Sequence, residues 1–151
     1  MDDIRSLFNH EYFMRKALAE AQKAYDNDEV PIGAVVVCNN QVIGKGYNQT
    51  ETLGDVTAHA EMLAITSASN QLNSKYLEEC TLYITIEPCV MCAGAIKHAR
   101  FGNIVVGARE PKTGFSNFLT GDFNSKTSIE FGVLEDDCRG LMQSFFQEKR
   151  K

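Results

Sequence analysis

Residues 81–108 read TLYITIEPCVMCAGAIKHARFGNIVVGA and predict a strand, a helix and a second strand in close succession. β-Branched and aromatic residues over Thr81–Ile86 are typical of a strand, and the apolar run 104–108 is typical of another. The helix between them covers residues 89 to about 99 and begins after Pro88, a residue suited to a helix start. Because strands joined through a helix are usually parallel neighbours, this stretch predicts an α/β fold.

The chain before this unit predicts a helix and a hairpin. Residues 9–26 have apolar side chains at helical spacing, and Asn9 can cap that helix. Segments 32–38 and 41–47 predict an antiparallel hairpin around Asn39-Asn40, since asparagine tolerates the positive φ angles of a type I′ turn.

The remaining segments complete the predicted order of elements. We expect polar, loop-like chain over 49–56 and 70–79, with a helix between them, and a long loop over 109–127 whose length suggests function. A short strand over 128–133 and an amphipathic helix follow. This order predicts a single three-layer α/β/α domain over residues 1–151, with a mixed sheet of about five strands and an antiparallel first hairpin.

The composition favours a globular protein and limits its partners. Five cysteines, an odd number, argue against a framework of disulfides alone and fit a reducing compartment. The start Met-Asp-Asp does not resemble a signal peptide, and no apolar run approaches membrane-spanning length, so we expect a cytoplasmic protein outside the membrane. The net charge of −5 disfavours nonspecific coating of nucleic acid. A local basic patch or an ordinary solvated face remains open for four residues close in sequence: Lys97, Arg100, Arg109 and Lys112.

His59, Cys89 and Cys92 form a candidate metal site with three ligands. A structural zinc site usually has four protein ligands, whereas a catalytic zinc keeps its fourth position for water. Glu61 is then a base beside that water rather than a ligand. The pattern therefore predicts one catalytic Zn²⁺ per subunit.

The spacing of His59 and Glu61 places a condition on this site. Side chains two positions apart on a helix diverge by about 200°, so they do not share a helix face. Both reach one metal site only if they lie in the first turn, where the helix end points at the site. Cys89 and Cys92 lie on one face at the start of the next helix, where a helix N-terminus favours thiolates.

Other interpretations of these residues were weighed. The Cys-x-x-Cys pair alone also fits structural zinc or a redox dithiol. Glu87 is a rival base, but the adjacent proline ties it to a turn, which favours a local structural carboxylate. Three further cysteines are interpreted as buried apolar residues, and two further histidines as ordinary polar positions: Cys38, Cys80, Cys138, His10 and His98.

The metal site and its glutamate predict a hydrolytic deamination. Zinc lowers the pKa of a bound water towards neutrality. Glu61 would transfer a proton from water to a ring nitrogen of an amino-substituted heterocycle, and then to the departing ammonia.

Four stretches carry a resemblance to a known family: residues 29–35, 57–61, 85–95 and 107–114, which read EVPIGAV, TAHAE, TIEPCVMCAGA and GAREPKTG. They resemble the cytidine and nucleobase deaminase superfamily and, more narrowly, the bacterial tRNA-specific adenosine deaminases. The resemblance implies a cytidine-deaminase-like fold and conversion of adenosine to inosine at the wobble position of a tRNA anticodon stem-loop. It also implies a homodimer, with RNA crossing near the dimer interface.

The resemblance also assigns roles to single residues. It matches the three metal ligands above and the proton shuttle Glu61. Asn48, which its position alone would favour as a turn residue, matches a substrate-contacting asparagine. Val30, Ala60 and Pro88 match positions that line the base pocket.

The chain departs from the family at positions that affect which polymer is bound, and these positions lie outside the residues of the predicted reaction. Glu110 stands where the family usually has aspartate, and Pro111 follows it. Glu110 and Lys112 are therefore candidate RNA contacts in an altered loop. Residues 115–131 are fewer and less basic than in many relatives. The acidic net charge and this loop keep an alternative open, a deaminase of a free base, nucleoside or nucleotide such as cytosine, guanine or cytidine. A zinc-stabilised subunit without catalysis is a third possibility, which the presence of Glu61 disfavours.

Overall fold

The computed structural model describes residues 8–119, 123 and 126–150. Within them, one mixed sheet has these strands: β1 (Gly33–Cys38), β2 (Gln41–Tyr47), β3 (Thr81–Ile86), β4 (Asn103–Ala108) and β5 (Ser128–Phe131). Their order across the sheet is β2-β1-β3-β4-β5. Strand β1 pairs antiparallel with β2 and with β3, whereas β3, β4 and β5 are parallel. The predicted mixed sheet with an antiparallel first hairpin is confirmed.

The helices of the described chain are α1 (His10–Asp26), α2 (Thr50–Leu53), α3 (Ala60–Leu72), α4 (Val90–Ala99) and α5 (Glu135–Lys149). A 3₁₀ turn covers Phe115–Asn117. Asn9 caps α1 as predicted, because its side chain accepts a hydrogen bond from the amide of Tyr12 at 2.9 Å. None of these helices combines the length and the apolar character needed to cross a membrane.

The hairpin turn has the backbone that its sequence predicts. Asn39 and Asn40 have φ angles of 51° and 61°. Two successive positive φ angles are the requirement of a type I′ turn, whose twist matches that of the flanking strands.

Helices cover both faces of the sheet, which confirms the three-layer α/β/α prediction. On one face, α1 and α5 pack against strand residues such as Val35, Tyr83 and Val105. On the other face, α3 and α4 pack against the alternate strand residues, such as Val36 and Ile84. Because successive strand side chains point to opposite faces, a strand that is buried on both faces is apolar throughout.

Helix α3 lies unusually close to β2, and this contact sets where the helix begins. A Cβ atom added to Gly46 would lie 2.5 Å from the carbonyl oxygen of Ala60 and 2.8 Å from the amide nitrogen of Ala64. Only a residue without a side chain allows the first turn of α3 to rest on the strand. The residue before that turn, His59, is thereby held at the edge of the sheet.

Some predicted boundaries were wrong for identifiable reasons. Residues 49–56 were expected to be loop but contain α2, whose N–H groups bond to the distant Glu29. Helix α3 continues into the segment expected to be a polar linker and ends at Asn73, which adopts a left-handed φ of 52°. Strand β5 ends before Gly132, whose φ is 93°. The 109–127 loop contains the 3₁₀ turn, and residues 120–122, 124 and 125 lie outside the described part.

Candidate metal centre and active site

Two helix starts bring the three candidate ligands together. His59 is the N-cap of α3 and Cys89 is the N-cap of α4, while Cys92 lies in the first turn of α4. The Nδ1 atom of His59 is 3.6 Å from the Sγ atom of Cys89 and 3.4 Å from that of Cys92. All three ligand atoms lie within 4.8 Å of one another. The sequence prediction of one site built from two helix ends therefore matches the geometry.

This ligand set fits zinc. Imidazole nitrogen and thiolate sulfur are the usual zinc ligands in proteins. In a tetrahedral site with bonds of about 2.3 Å to sulfur and about 2.0 Å to nitrogen, those ligand atoms are separated by roughly 3.5 Å. The two observed nitrogen–sulfur distances, 3.6 Å and 3.4 Å, lie on either side of that value. A cation can therefore be bound without moving the three side chains far.

The electrostatics of the ligands favour a bound cation. Hydrogen bonds from Cys92 and His59 lower the pKa of Cys89 to about 3. The hydrogen bond to Cys89 raises the pKa of His59, and the hydrogen bond to Cys89 together with burial raises the pKa of Cys92. Cys89 is thus a thiolate that accepts hydrogen bonds from His59 and Cys92. A metal ion bound here would displace those protons and take the thiolate as a ligand.

Glu61 lies in the first turn of α3, as its spacing from His59 requires. It is the second residue of the helix, its exposed fraction is 3%, and it lines the same cavity as His59 and Cys89. Burial raises the pKa of the Glu61 carboxyl to about 7, against the opposing effects of a backbone N–H and of His59. A carboxyl with that pKa can both accept and donate a proton near neutral pH, as a general acid/base must.

The cavity beside these residues has a volume of about 340 Å³. Apolar side chains and polar or ionisable side chains both line it: Val30, Ile32, Asn48, Thr50, His59, Ala60, Glu61, Ile86, Glu87, Cys89, Glu110, Thr113, Met142 and Phe146. The lining includes three of the four residues assigned to the base pocket, while the fourth, Pro88, is buried outside it and its carbonyl accepts from the amide of Phe115.

Asn48 has a feature that points to a ligand. Its exposed fraction is 7%, and its Oδ1 atom has no hydrogen-bond partner among the described residues. Buried polar atoms in folded proteins are almost always hydrogen-bonded. An unpaired amide oxygen in the wall of a cavity is available to a donor on a bound molecule.

Glu87 has the structural role that its sequence position favours. Its carboxylate accepts hydrogen bonds from the amide of Glu110 at 3.1 Å, the amide of Ser116 at 3.0 Å and the hydroxyl of Ser116 at 2.5 Å. These bonds tie the loop after β4 to the start of α4. Both carboxylate oxygens are therefore engaged in holding the wall of the cavity.

The two candidate RNA contacts lie in a tight turn. The Oε1 atom of Glu110 accepts from the amide of Lys112 at 2.8 Å, so this carboxylate stabilises its own loop. Glu110 lines the cavity, and both residues line a second, larger depression beside it. The turn thus separates the reactive centre from a neighbouring surface.

That second depression, here called the basic groove, has a volume of about 710 Å³. Arg109 and Lys112 line it from the loop, Arg139 lines it from α5, and Arg150 lines it from the C-cap of α5. Arg139 pairs with Glu135 at 2.7 Å, which offsets part of this charge. The groove lies directly beside the cavity, because four residues line both: Ile86, Glu110, Met142 and Phe146.

Sequence reasoning missed the contribution of α5 to this region. Arg139, Met142, Phe146 and Arg150 have no motif, and only the packing of α5 against the sheet brings them to the site. The predicted basic cluster also divides, since Arg100 stacks on the ring of Tyr76 at 4.2 Å and lies outside the groove lining.

Two of the three remaining cysteines, Cys80 and Cys138, are buried as predicted. Burial raises the pKa of Cys80 and of Cys138 to about 12, so both thiols are inert at neutral pH. Cys38 is half-buried and packs against the same core cluster that contains Cys80.

Known proteins match this chain over most of its length. Residues 8–108 match the family model of the cytidine and deoxycytidylate deaminase zinc-binding region. The chain is 44% identical to the tRNA-specific adenosine deaminase of Bacillus subtilis (strain 168) over 146 residues, which cover 93% of this chain and 91% of that protein. A solved structure from a study of A-to-I editing by tRNA:A34 deaminases has a TM-score of 0.80 and 39% identity, and the match covers 86% of this chain and 98% of that one. A guanine deaminase from Nitrosomonas europaea, at 23% identity and a TM-score of 0.79 over 89% of this chain and 83% of that chain, has the same fold.

Proposed function

The chain belongs to the cytidine and deoxycytidylate deaminase zinc-binding family and, within it, to the tRNA-specific adenosine deaminases, and we propose that it converts adenosine 34 of a tRNA to inosine. The observation that carries this proposal is that the two depressions lie side by side. A small cavity lined by Glu61 and by Asn48, whose Oδ1 atom has no hydrogen-bond partner among the described residues, lies beside a groove lined by four cations. One nucleobase fits the first, and the phosphates of a polymer suit the second.

His59, Cys89 and Cys92 would hold one zinc ion per subunit. Zinc bound there lowers the pKa of a coordinated water towards neutrality and so supplies the nucleophile. The second residue of α3, Glu61, lines the same cavity, so its carboxyl can exchange protons with a water there.

The proposed reaction is a hydrolysis in which Glu61 moves the protons. Its carboxylate accepts a proton from the attacking water and delivers it to the ring nitrogen next to the amine-bearing carbon. The carbon–oxygen bond forms as the ring nitrogen gains that proton. Glu61 then takes the proton of the new hydroxyl group and passes it to the amine nitrogen, and the carbon–nitrogen bond breaks as the carbonyl of inosine forms. Adenosine and water thus give inosine and ammonia.

The cavity walls would orient the base. The Oδ1 atom of Asn48 has no hydrogen-bond partner in the described part of the chain and can accept a hydrogen bond from an edge of the base. Val30, Ala60 and Ile32 offer apolar walls to its ring. Pro88, outside the lining, would act by holding the loop that bonds to its carbonyl.

The basic groove would hold the anticodon stem-loop. Lys112, Arg109 and Arg150 can neutralise phosphates, which supports binding despite the net charge of −5. Glu110 would shape this contact through its bond to the amide of Lys112.

We further propose that the chain is a single domain over residues 1–151, works as a homodimer and acts in the cytoplasm.

The proposal is tested by incubating the zinc-loaded enzyme with a tRNA transcript that has adenosine at position 34 and with a matched transcript that has guanosine there. We expect inosine and one equivalent of ammonia from the first transcript only. Free adenosine, cytidine, cytosine and guanine are assayed in parallel. Ammonia from the small molecules alone would replace this proposal with the alternative, a deaminase of a free base or nucleoside.

A further inference from the structure

A second buried carboxylate, Glu29, binds the short helix α2, whose first residue lines the cavity. Its exposed fraction is 1%. Its Oε1 atom accepts from the amide of Glu51 at 3.1 Å, and its Oε2 atom accepts from the amide of Thr52 at 2.6 Å and the hydroxyl of Thr52 at 2.7 Å. Three donors therefore converge on one side chain that no step of the proposed reaction uses.

These donors are the groups that a helix cap normally satisfies. Helix α2 begins at Thr50, so the amides of Glu51 and Thr52 are its second and third. An N-cap side chain usually accepts from those positions. In the described chain, the N-cap residue Gln49 makes no such bond. Glu29 thus caps α2 from a segment more than twenty residues upstream.

The capped helix is joined directly to Asn48. The amide of Asn48 donates to the carbonyl of Ile32 at 3.1 Å, and the amide of Gln49 donates to the carbonyl of Ala58 at 2.9 Å. The backbone around Asn48 is therefore held by Ile32, which lies just before β1, and by Ala58 through the next residue, Gln49. Helix α2 begins directly after Gln49. Both Asn48 and Thr50, the first residue of α2, line the cavity.

We propose that Glu29 is a positioning residue: by capping α2 it aims the Asn48 amide at the bound base. This inference rests on the proposed function, because it takes Asn48 as a contact to the reacting base. Asn48 addresses the base alone, while the basic groove holds the polymer. Loss of the cap should therefore reduce turnover of bound substrate more than it reduces binding of tRNA.

A double-mutant cycle between Glu29→Gln and Asn48→Ala tests this coupling. Gln keeps the size of the side chain but replaces one acceptor oxygen with a donor, so at least one bond to α2 is lost. We expect Glu29→Gln to lower kcat about tenfold with KM changed less than about twofold, since small misplacements of a contact are costly to turnover. In the Asn48→Ala background the same change should have less than about a twofold effect, because coupled residues are not additive.

Two further variants keep the test decisive. Thr52→Val removes only the hydroxyl donor at an exposed position, and it replaces Glu29→Gln in the cycle if that variant does not fold. Glu20→Gln is the matched control, because Glu20 is also a buried carboxylate but pairs with Lys23 on α1 and lies outside the cavity lining. We expect Glu20→Gln to leave kcat and KM unchanged.

A readout without turnover separates this inference from the proposed function. In ¹H–¹⁵N spectra of the zinc-loaded protein, Glu29→Gln should shift the side-chain amide signals of Asn48 and speed amide exchange at Glu51 and Thr52. If the substrate proves to be a free base, the kinetic cycle is run on that base. An equal loss of kcat in both backgrounds, a loss confined to KM, or unchanged Asn48 signals would each overturn the positioning role.

Discussion

The proposed role of Glu61 depends on its position in the first turn of α3. There its side chain shares a cavity with His59 although the two lie on different helix faces. Burial raises the pKa of this carboxyl to about 7, which suits a group that must take up and release a proton in each cycle. One or two residues further along the helix, the same side chain would point elsewhere.

Glu61→Gln should therefore lower kcat by about 10²- to 10⁴-fold, the usual loss when a general acid/base is removed. The zinc content should stay near one per chain, because Gln replaces a group outside the ligand set. Inosine formation and metal analysis on the same preparation check both expectations. Retained deamination would contradict the proton-transfer role, and loss of zinc would show that the variant damages the metal site instead.

Glu29 also makes a prediction for stability against pH. Burial alone would raise the pKa of its carboxyl, but hydrogen bonds from Thr52 and Glu51 outweigh burial and lower that pKa below its ordinary value. The ionised form is thus favoured in the folded state. Its contribution to the free energy of unfolding is fully present above the ordinary carboxyl pKa of about 4.3 and is lost as pH falls through the lower folded-state pKa.

Glu29→Gln should accordingly reduce the free energy of unfolding by about 1–3 kcal/mol at pH 7, the range for leaving buried donors unsatisfied. The difference between wild type and variant should shrink as pH falls below about 4.3. Urea denaturation of both proteins from pH 7 to pH 3 measures it. A difference that grows towards acid pH would contradict the lowered pKa.

Among the secondary-structure elements, the N-termini of two helices, α3 and α4, form the candidate metal site. The N-caps of α3 and α4, His59 and Cys89, are two of the three proposed metal ligands. Such a site requires each helix to be fixed along its axis as well as against the sheet. For α3, the contact with Gly46 fixes the position of the helix along its axis, since no side chain at Gly46 separates the strand from the carbonyl of Ala60.

Gly46→Ala should move the start of α3 and disturb the ligand set. A Cβ atom there would come within 2.5 Å of helix backbone, so we expect a loss of about 1–3 kcal/mol in stability and weaker zinc binding. Gly140→Ala is the matched control, because nothing among the described residues lies within 4 Å of its added Cβ. In the interior of α5 that change should raise stability by about 0.5–1 kcal/mol. Zinc titration and urea denaturation of both variants test the contrast.

Over the whole molecule, acidic composition and a basic groove coexist. The net charge of −5 is the sum over all residues of the chain. Four cations nevertheless line the basic groove: Arg109 and Lys112 on a loop, Arg139 on α5 and Arg150 directly after α5. A polyanion responds to that local arrangement, and its binding should weaken with salt. Zinc bound by the proposed ligands should stabilise the whole fold, because these ligands lie at the starts of two separate helices.

Removing groove charge should weaken tRNA binding without harming the chemistry. Lys112→Ala and Arg150→Ala should each raise KM for tRNA and reduce the salt dependence of binding by close to one phosphate contact. Lys45→Ala, on an exposed position of β2 outside the groove lining, is the control. Affinities measured from 50 to about 200 mM salt decide the point. Unchanged slopes in both groove variants would place the RNA elsewhere.

Removing the metal should destabilise the fold. A ligand that binds only the folded state adds about 4 kcal/mol when present at a thousand times its Kd. We therefore expect a chelator to lower Tm, and added zinc to restore it. His59→Ala should have a lower Tm that no longer responds to zinc. A wild-type Tm that ignores the chelator would argue against a folded-state zinc site.

Local sequence patterns were enough to predict the mixed sheet, the candidate metal ligands and the deaminase chemistry. Strand and helix periodicity, the Asn39-Asn40 turn and the spacing of His59, Glu61 and the cysteine pair are local patterns, and local sterics and hydrogen bonding suffice to interpret them. The tertiary structure alone decided what surrounds the reaction. The cap that Glu29 provides for α2 and the cations of α5 beside Lys112 are contacts between segments far apart in the chain. Such contacts arise from packing, which no window of sequence contains.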